Sequence, residues 1–168
     1  MRTLKGTNIV VYDTEIENII DGKEITWNDH AKMGFSVGCL YDFLTDDYSV
    51  YLKPDIQELA NRLNRADLVV AFNQIGFDNR LMIAMGADLR ADLPNYDMLV
   101  ESRKSIGWEP SQKFPSGMKL DDHLEATFGK EHMKTGHGEK APIWWQEGKY
   151  AQVISYCLAD VKRVTDVV

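Results

Sequence analysis

The run Ile9-Val10-Val11-Tyr12, followed at once by Asp13-Thr14-Glu15, constrains this chain more than any other stretch. A continuous apolar segment from Thr7 to Tyr12, without the alternation of a half-exposed strand, predicts a central strand buried on both faces. Asp13 then stands at the end of that strand. Glu15, two residues on, points to the same side if the chain stays extended. A solvated strand end would satisfy the same pattern, and Asp-x-Glu is common in acidic chains.

Two further segments carry acids in equally defined places. Phe72-Asn73-Gln74-Ile75-Gly76-Phe77-Asp78 follows a second apolar strand, Asp67 to Phe72, and leads into a predicted helix from Phe77 to Met85 ended by Gly86. Asp78 has an ordinary alternative here, complementing the helix dipole, and Asn73 has one as a turn residue. Tyr156 and Asp160 share one face of a last helix running from about Tyr150 to the C-terminus, with Val153, Cys157, Val161 and Val164 as its core stripe. Asp160 projects beside that stripe, so its carboxylate requires a partner or a metal ion. Hard divalent cations take oxygen ligands, and a two-metal site cleaves phosphodiesters by stabilising both the attacking and leaving oxygens.

The rest of the pattern frames an α/β chain with a central mixed sheet of about five strands flanked by helices. Gly34 to Tyr41 and Tyr48 to Leu52 form a predicted hairpin around Thr45-Asp46-Asp47, and Asp21-Gly22 marks a turn. A helix begins at Pro54 with Ile56, Leu59, Ala60 and Leu63 at helical spacing, Asp92 to Tyr96 is a short strand, and Leu120 to Phe128 is a helix stopped by Gly129. At 168 residues and 44% hydrophobic, the expectation is a single domain over 1–168. The chain has no apolar run of about 18 residues and no apolar signal region after Met1, so a soluble cytoplasmic protein without membrane contact is expected. Cys39 and Cys157 suit reduced, buried thiols.

A formal charge of −7 argues against a protein that coats duplexes, and suits a metal-dependent grip on a short single-stranded end. Segment 102–119 sets Arg103, Lys104, Lys113 and Lys119 against Glu109, with Trp108 and Phe114 interleaved. That composition fits backbone contact with base stacking, or a surface loop packed by its own aromatics. Trp144 and Trp145, after Pro142, are expected to pack the base of the last helix. The stretch from His132 to His137 lacks a third ligand for zinc and reads as a solvated loop.

In order and placement the three acidic motifs resemble the DEDD superfamily of 3′-to-5′ exonucleases, which share a ribonuclease H-like fold. Tyr156-Cys157-Leu158-Ala159-Asp160 is similar to the third motif of its tyrosine-type subgroup. The resemblance extends to Ala66-Asp67-Leu68-Val69-Val70 and to Met118-Lys119-Leu120-Asp121-Asp122-His123-Leu124, and so spans about 13 to 168. It implies two divalent ions, Mg2+ or Mn2+. Asp13, Glu15 and Asp160 would hold the first and Asp13 would bridge to the second, which Asp78 would hold largely through water. Tyr156 would orient the attacking water rather than act as a base, since an ordinary phenol has a pKa of about 10. Thr14, Asn73 and Phe77, with Trp108 and Lys113, are the expected substrate contacts. The implied partners are single-stranded DNA or RNA 3′ ends, DNA favoured, with nucleoside 5′-monophosphates as products and a replication or repair assembly as one setting. A non-catalytic binding or scaffold domain of the same fold is the alternative, and a ribonuclease H-type endonuclease ranks below it. An intact set of four acids and the tyrosine favours the enzyme.

Overall fold

The computed structural model describes residues 6–129 and 138–168. The apolar run forms β1 (Ile9–Ile16), but the strand continues past the expected end at Tyr12, so Asp13, Thr14 and Glu15 lie within it. The cause is the neighbour: β2 (Phe35–Asp42) stays paired antiparallel to β1 through Asp13 opposite Cys39, Thr14 opposite Gly38 and Glu15 opposite Val37, and the register shifts only between Glu15 and Ile16. The predicted hairpin is completed by β3 (Asp47–Leu52), antiparallel to β2. On the other side β4 (Leu68–Ala71) runs parallel to β1 and β5 (Asn95–Asp97) parallel to β4, giving the order β3-β2-β1-β4-β5. β5 begins later than the expected Asp92. This is an α/β fold with a five-stranded mixed sheet, of the ribonuclease H-like kind.

Seven α-helices flank the sheet among the described residues: α1 (His30–Met33), α2 (Ile56–Asn64), α3 (Asp78–Ala84), α4 (Met98–Ser105), α5 (Leu120–Phe128), α6 (Ala141–Gln146) and α7 (Tyr150–Val167). Pro54 sits in a 3-10 turn, Lys53–Asp55, that leads into α2. The period of two along β1 divides the core. Val10 and Tyr12 join Phe35, Leu40, Leu59, Leu63, Leu81 and Met82 on the face covered by α2 and α3. Ile9 and Val11 join Val37, Cys39 and Val70 under Val153, Cys157, Val161 and Val164 of α7, the stripe expected from its spacing. Both cysteines are buried and free.

Helices α1, α4 and α6 were not expected from spacing. In α6 the two tryptophans pack as anticipated, with Trp144 edge-on to Tyr156 at 5.9 Å and Trp145 against Tyr150 at 4.6 Å between ring centres. The stretch from His132 to His137 lies outside the described residues. No helix among the described residues is long and apolar enough to cross a membrane.

Candidate active site

The alternation that divides the core also sorts the acids. Asp13 and Glu15 continue the Ile9–Val11 side of β1 toward α7, where Tyr156 and Asp160 stand one turn apart. Thr14 continues the Val10–Tyr12 side toward α3, whose first residue is Asp78. All five expected catalytic residues line one cleft of about 650 Å³, together with Thr14, Asn73 and Phe77. Sequence positions nearly the length of the chain apart therefore meet at the middle of the sheet.

Ligand atoms of Asp13, Glu15 and Cys157 lie within 4.8 Å of one another. Cys157 is an unsuitable member of that set. It is fully buried, its sulfur faces the Asp13 carbonyl oxygen at 3.4 Å, and burial, with the neighbouring Cys39 adding, pushes its thiol pKa well up. A protonated thiol is a poor donor to a hard cation. Asp160, three residues along the same helix, lines the same cleft with carboxylate oxygens. Its Oδ1 accepts from Arg163 Nη1 at 2.5 Å, the partner that its place beside the core stripe demanded. Arg163 escaped the sequence reading, although a base three residues after an acid on a helix is a usable signal.

Asp78 does not cap its own helix. Its Oδ1 accepts from the Thr14 backbone N–H at 3.1 Å and the Thr14 hydroxyl at 2.5 Å, so the two Thr14 donors are engaged in holding this carboxylate. Burial pushes the Asp78 pKa up to about 6, against the lowering effect of those bonds. The turn that delivers Asp78 is fixed by Asp97 at the end of β5. The two Asp97 oxygens accept from Asn73 N–H at 2.9 Å and Ile75 N–H at 3.0 Å, and its Oδ1 also caps α4 through Leu99 and Val100. Asn73 adopts a left-handed φ of 67°, and a Cβ on Gly76 would stand 2.6 Å from the Asn73 Oδ1, so a side chain there would displace the Asn73 amide. The sequence reading did not single out Asp97; an aspartate just before an unrecognised helix was its signal.

The Tyr156 phenol is driven far above its ordinary pKa by burial first and then by the Asp160, Glu15 and Asp13 charges. It therefore stays protonated and offers a hydrogen-bonding hydroxyl, not a base. Gly138 crosses close to it: a Cβ there would come within 3.3 Å of that hydroxyl.

The same cleft has an apolar lining that, apart from Phe77, the sequence reading missed. Ile16, Ile19, Ile20 and Trp27 line it with Phe77. The Trp27 and Phe77 rings meet edge to face at 6.1 Å, and His30 packs on Phe77 at 5.9 Å. The cleft is lined by five carboxylates, Glu139 being the fifth, and among the described residues by no lysine or arginine. Trp108 and Lys113 do not line it. They belong to a self-packed cluster in which the Arg103 guanidinium lies 4.8 Å from the Trp108 ring centre and 4.5 Å from that of Phe114, while Trp108 Nε1 donates to the Lys113 carbonyl at 3.1 Å.

The cleft offers carboxylate oxygens, the ligand type of hard divalent cations: those of Asp13 and Glu15 stand close together, Asp160 and Asp78 line the same cleft, and burial raises the pKa of the neighbouring Cys157 thiol. Compared with models of known protein families and with curated proteins, the chain matches none.

Proposed function

We propose that this chain is a divalent-metal-dependent 3′-to-5′ exonuclease, similar to the tyrosine-type members of the DEDD superfamily, that releases nucleoside 5′-monophosphates from single-stranded ends. The observation that carries the reading is the convergence of Asp13, Glu15, Asp160 and Tyr156 with Asp78 on one cleft. Asp13, Glu15 and Asp160 would hold one Mg2+ or Mn2+, and Asp13 with Asp78 a second. Such ions, when bound, supply an activated water at neutral pH and offset the charge that builds on the phosphate.

The remaining chemistry belongs to side chains. Tyr156, kept protonated by its surroundings, hydrogen-bonds and orients the attacking water without taking its proton. Thr14 holds the Asp78 carboxylate in one orientation, which limits the reorganisation needed when charge is placed beside it. Phe77 closes the cleft next to Asp78, where a terminal sugar and base would rest. A scaffold domain would have no need of four intact acids around a protonated tyrosine, and the position of Tyr156 beside Asp160 favours end-directed cleavage over a ribonuclease H-type endonuclease.

The test is incubation with end-labelled single-stranded DNA, duplex DNA and RNA in magnesium, manganese or chelator, with divalent binding followed by calorimetry. A ladder shortening from the 3′ end of single strands, absent in chelator, is the expected result. No divalent binding at millimolar concentration together with intact substrate would transfer the assignment to the scaffold alternative.

A further inference from the structure

The two edges of the sheet are protected unequally. At one, β5 is three residues long, and a strand this short offers little to pair with. At the other, β3 is six residues long and among the described residues is paired on one side only, with β2. Edge strands are ordinarily guarded by a charge or proline within them, by a bulge, or by an element laid over them. Residues 48–52 of β3 contain neither charge nor proline, and the pairing with β2 runs from Asp47 to Leu52 without a register shift. The alternation of the strand sends Tyr51 into the core with Leu59 and sets Tyr48, Val50 and Leu52 in a row on the other face, 45%, 42% and 40% exposed. Their partners across the ladder, Tyr41, Cys39 and Val37, belong to the core beneath α7, so the row is the uncovered continuation of a buried face.

We infer that this edge is the contact surface between two copies of the chain, β3 pairing antiparallel with the β3 of a second copy to make one continuous sheet. The strand's own sequence selects that occupant. Directly opposite residues of an antiparallel pair share a face, so a two-fold axis through Val50 sets Val50 against Val50, Tyr48 against Leu52 in both directions, and Ser49 against Tyr51. The same register brings Asp47, the only charge in the strand, opposite Lys53, the residue that follows it. Lys53 also pairs with Glu17, yet its side chain is 49% exposed and within reach of a second carboxylate. A register one residue off would turn the partner's row to the opposite face of the joined sheet and lose all three apolar pairs. Each copy has one such edge, so the assembly closes at two. No residue of β3 lines the acidic cleft, and the inference does not depend on the function proposed above. One strand per copy is a small interface, which sets the expected association in the micromolar range.

Sedimentation velocity of the full chain between about 1 and about 200 μM tests the association, with a midpoint from monomer to dimer expected on the order of 10 μM. Val50→Lys places two like charges at the axis and should weaken dimerisation at least roughly ten-fold. Because Val50 is exposed, circular dichroism and the melting temperature of the dilute monomer should be unchanged. The register is read by cross-linking with oxidised glutathione. Val50→Cys brings two thiols directly opposite each other, at a Cα separation of about 5 Å, and should give a covalent dimer. Leu52→Cys leaves its two thiols about 14 Å apart along the strands and should not. Cys39 and Cys157 are buried, so wild type serves as the control. A wild type that is monomeric throughout the range overturns the inference and leaves the edge to another occupant or to none. A dimer that Val50→Lys does not weaken, cross-linking of Leu52→Cys without that of Val50→Cys, or growth beyond two copies overturns it equally.

Discussion

Burial of the Asp78 carboxylate sets the sign of one pH response. Its pKa stands at about 6 in the folded chain against 3.8 for an unperturbed aspartate, because desolvation disfavours its charge. The folded state therefore holds a proton that the unfolded state has lost between those values, and this group's contribution to stability falls as pH rises from about 4 through 6. The rise corresponds to roughly 3 kcal/mol. In chelator, Asp78→Asn keeps an acceptor for Thr14 and carries no charge. It should melt higher than wild type at pH 7, converge with it near pH 4, and have no divalent-dependent hydrolysis; equal melting at both pH values would mean that the carboxylate is not desolvated. Asp13→Ala and Asp160→Ala should both abolish hydrolysis, with opposite costs in stability. The first removes a charge from a repelling cluster and should melt at or above wild type. The second strands Arg163 in a half-buried position and should cost about 2 kcal/mol in denaturant titration. Wild-type specific activity in the folded fraction of either variant would make these acids structural.

At the scale of elements, the turn between β4 and α3 is held by a neighbour that is not part of it. Asp97 accepts four backbone N–H groups while 1% exposed, and Asp97→Ala leaves them without that acceptor. Charge-assisted bonds of this kind lead us to expect a loss of 3 kcal/mol or more, on the order of two such bonds. Faster amide exchange should be confined to residues 73–77 and the start of α4 at temperatures where the fold survives, and turnover should drop as Asp78 loses its mount. Uniform exchange across the sheet instead would assign Asp97 a general role in the core. The same elements explain what was legible in the sequence. Asp13 and Glu15 stay on one face wherever β1 stops, so the mistaken end at Tyr12 did no harm to the pairing of acids, and the helical period placed Tyr156 with Asp160. No period runs through the β1–α1 loop, whose course is set by Asp21 and Asp29 bonding to the backbone, so nothing in the spacing pointed Trp27 into the cleft. Segment 102–119 was ambiguous for the opposite reason. Its composition suits nucleic acid equally well whether its aromatics face a ligand or, as here, the Arg103 guanidinium.

For the whole molecule the governing quantity is charge. On the function proposed above, a chain of formal charge −7 would engage a polyanion through a cleft lined by no lysine or arginine among the described residues, with Lys119 in an adjoining pocket beside Asp13 and Asp160, and would have few counterions to release on binding. For single strands log Kobs falls with log salt at about −0.7 per neutralised phosphate, so one or two ion-mediated contacts should cost less than about ten-fold between 50 and 200 mM monovalent salt. Capture through Arg103, Lys104, Lys113 and Lys119, the route that composition suggested, would engage four cations and cost on the order of fifty-fold over the same range. Anisotropy of a labelled oligonucleotide at saturating calcium separates the two. A shallow slope that Lys113→Glu does not alter places the strand in the cleft and leaves segment 102–119 to its own packing. A steep slope that this substitution flattens would put the binding surface on that segment, and the acidic cleft would then act only on a strand already held elsewhere.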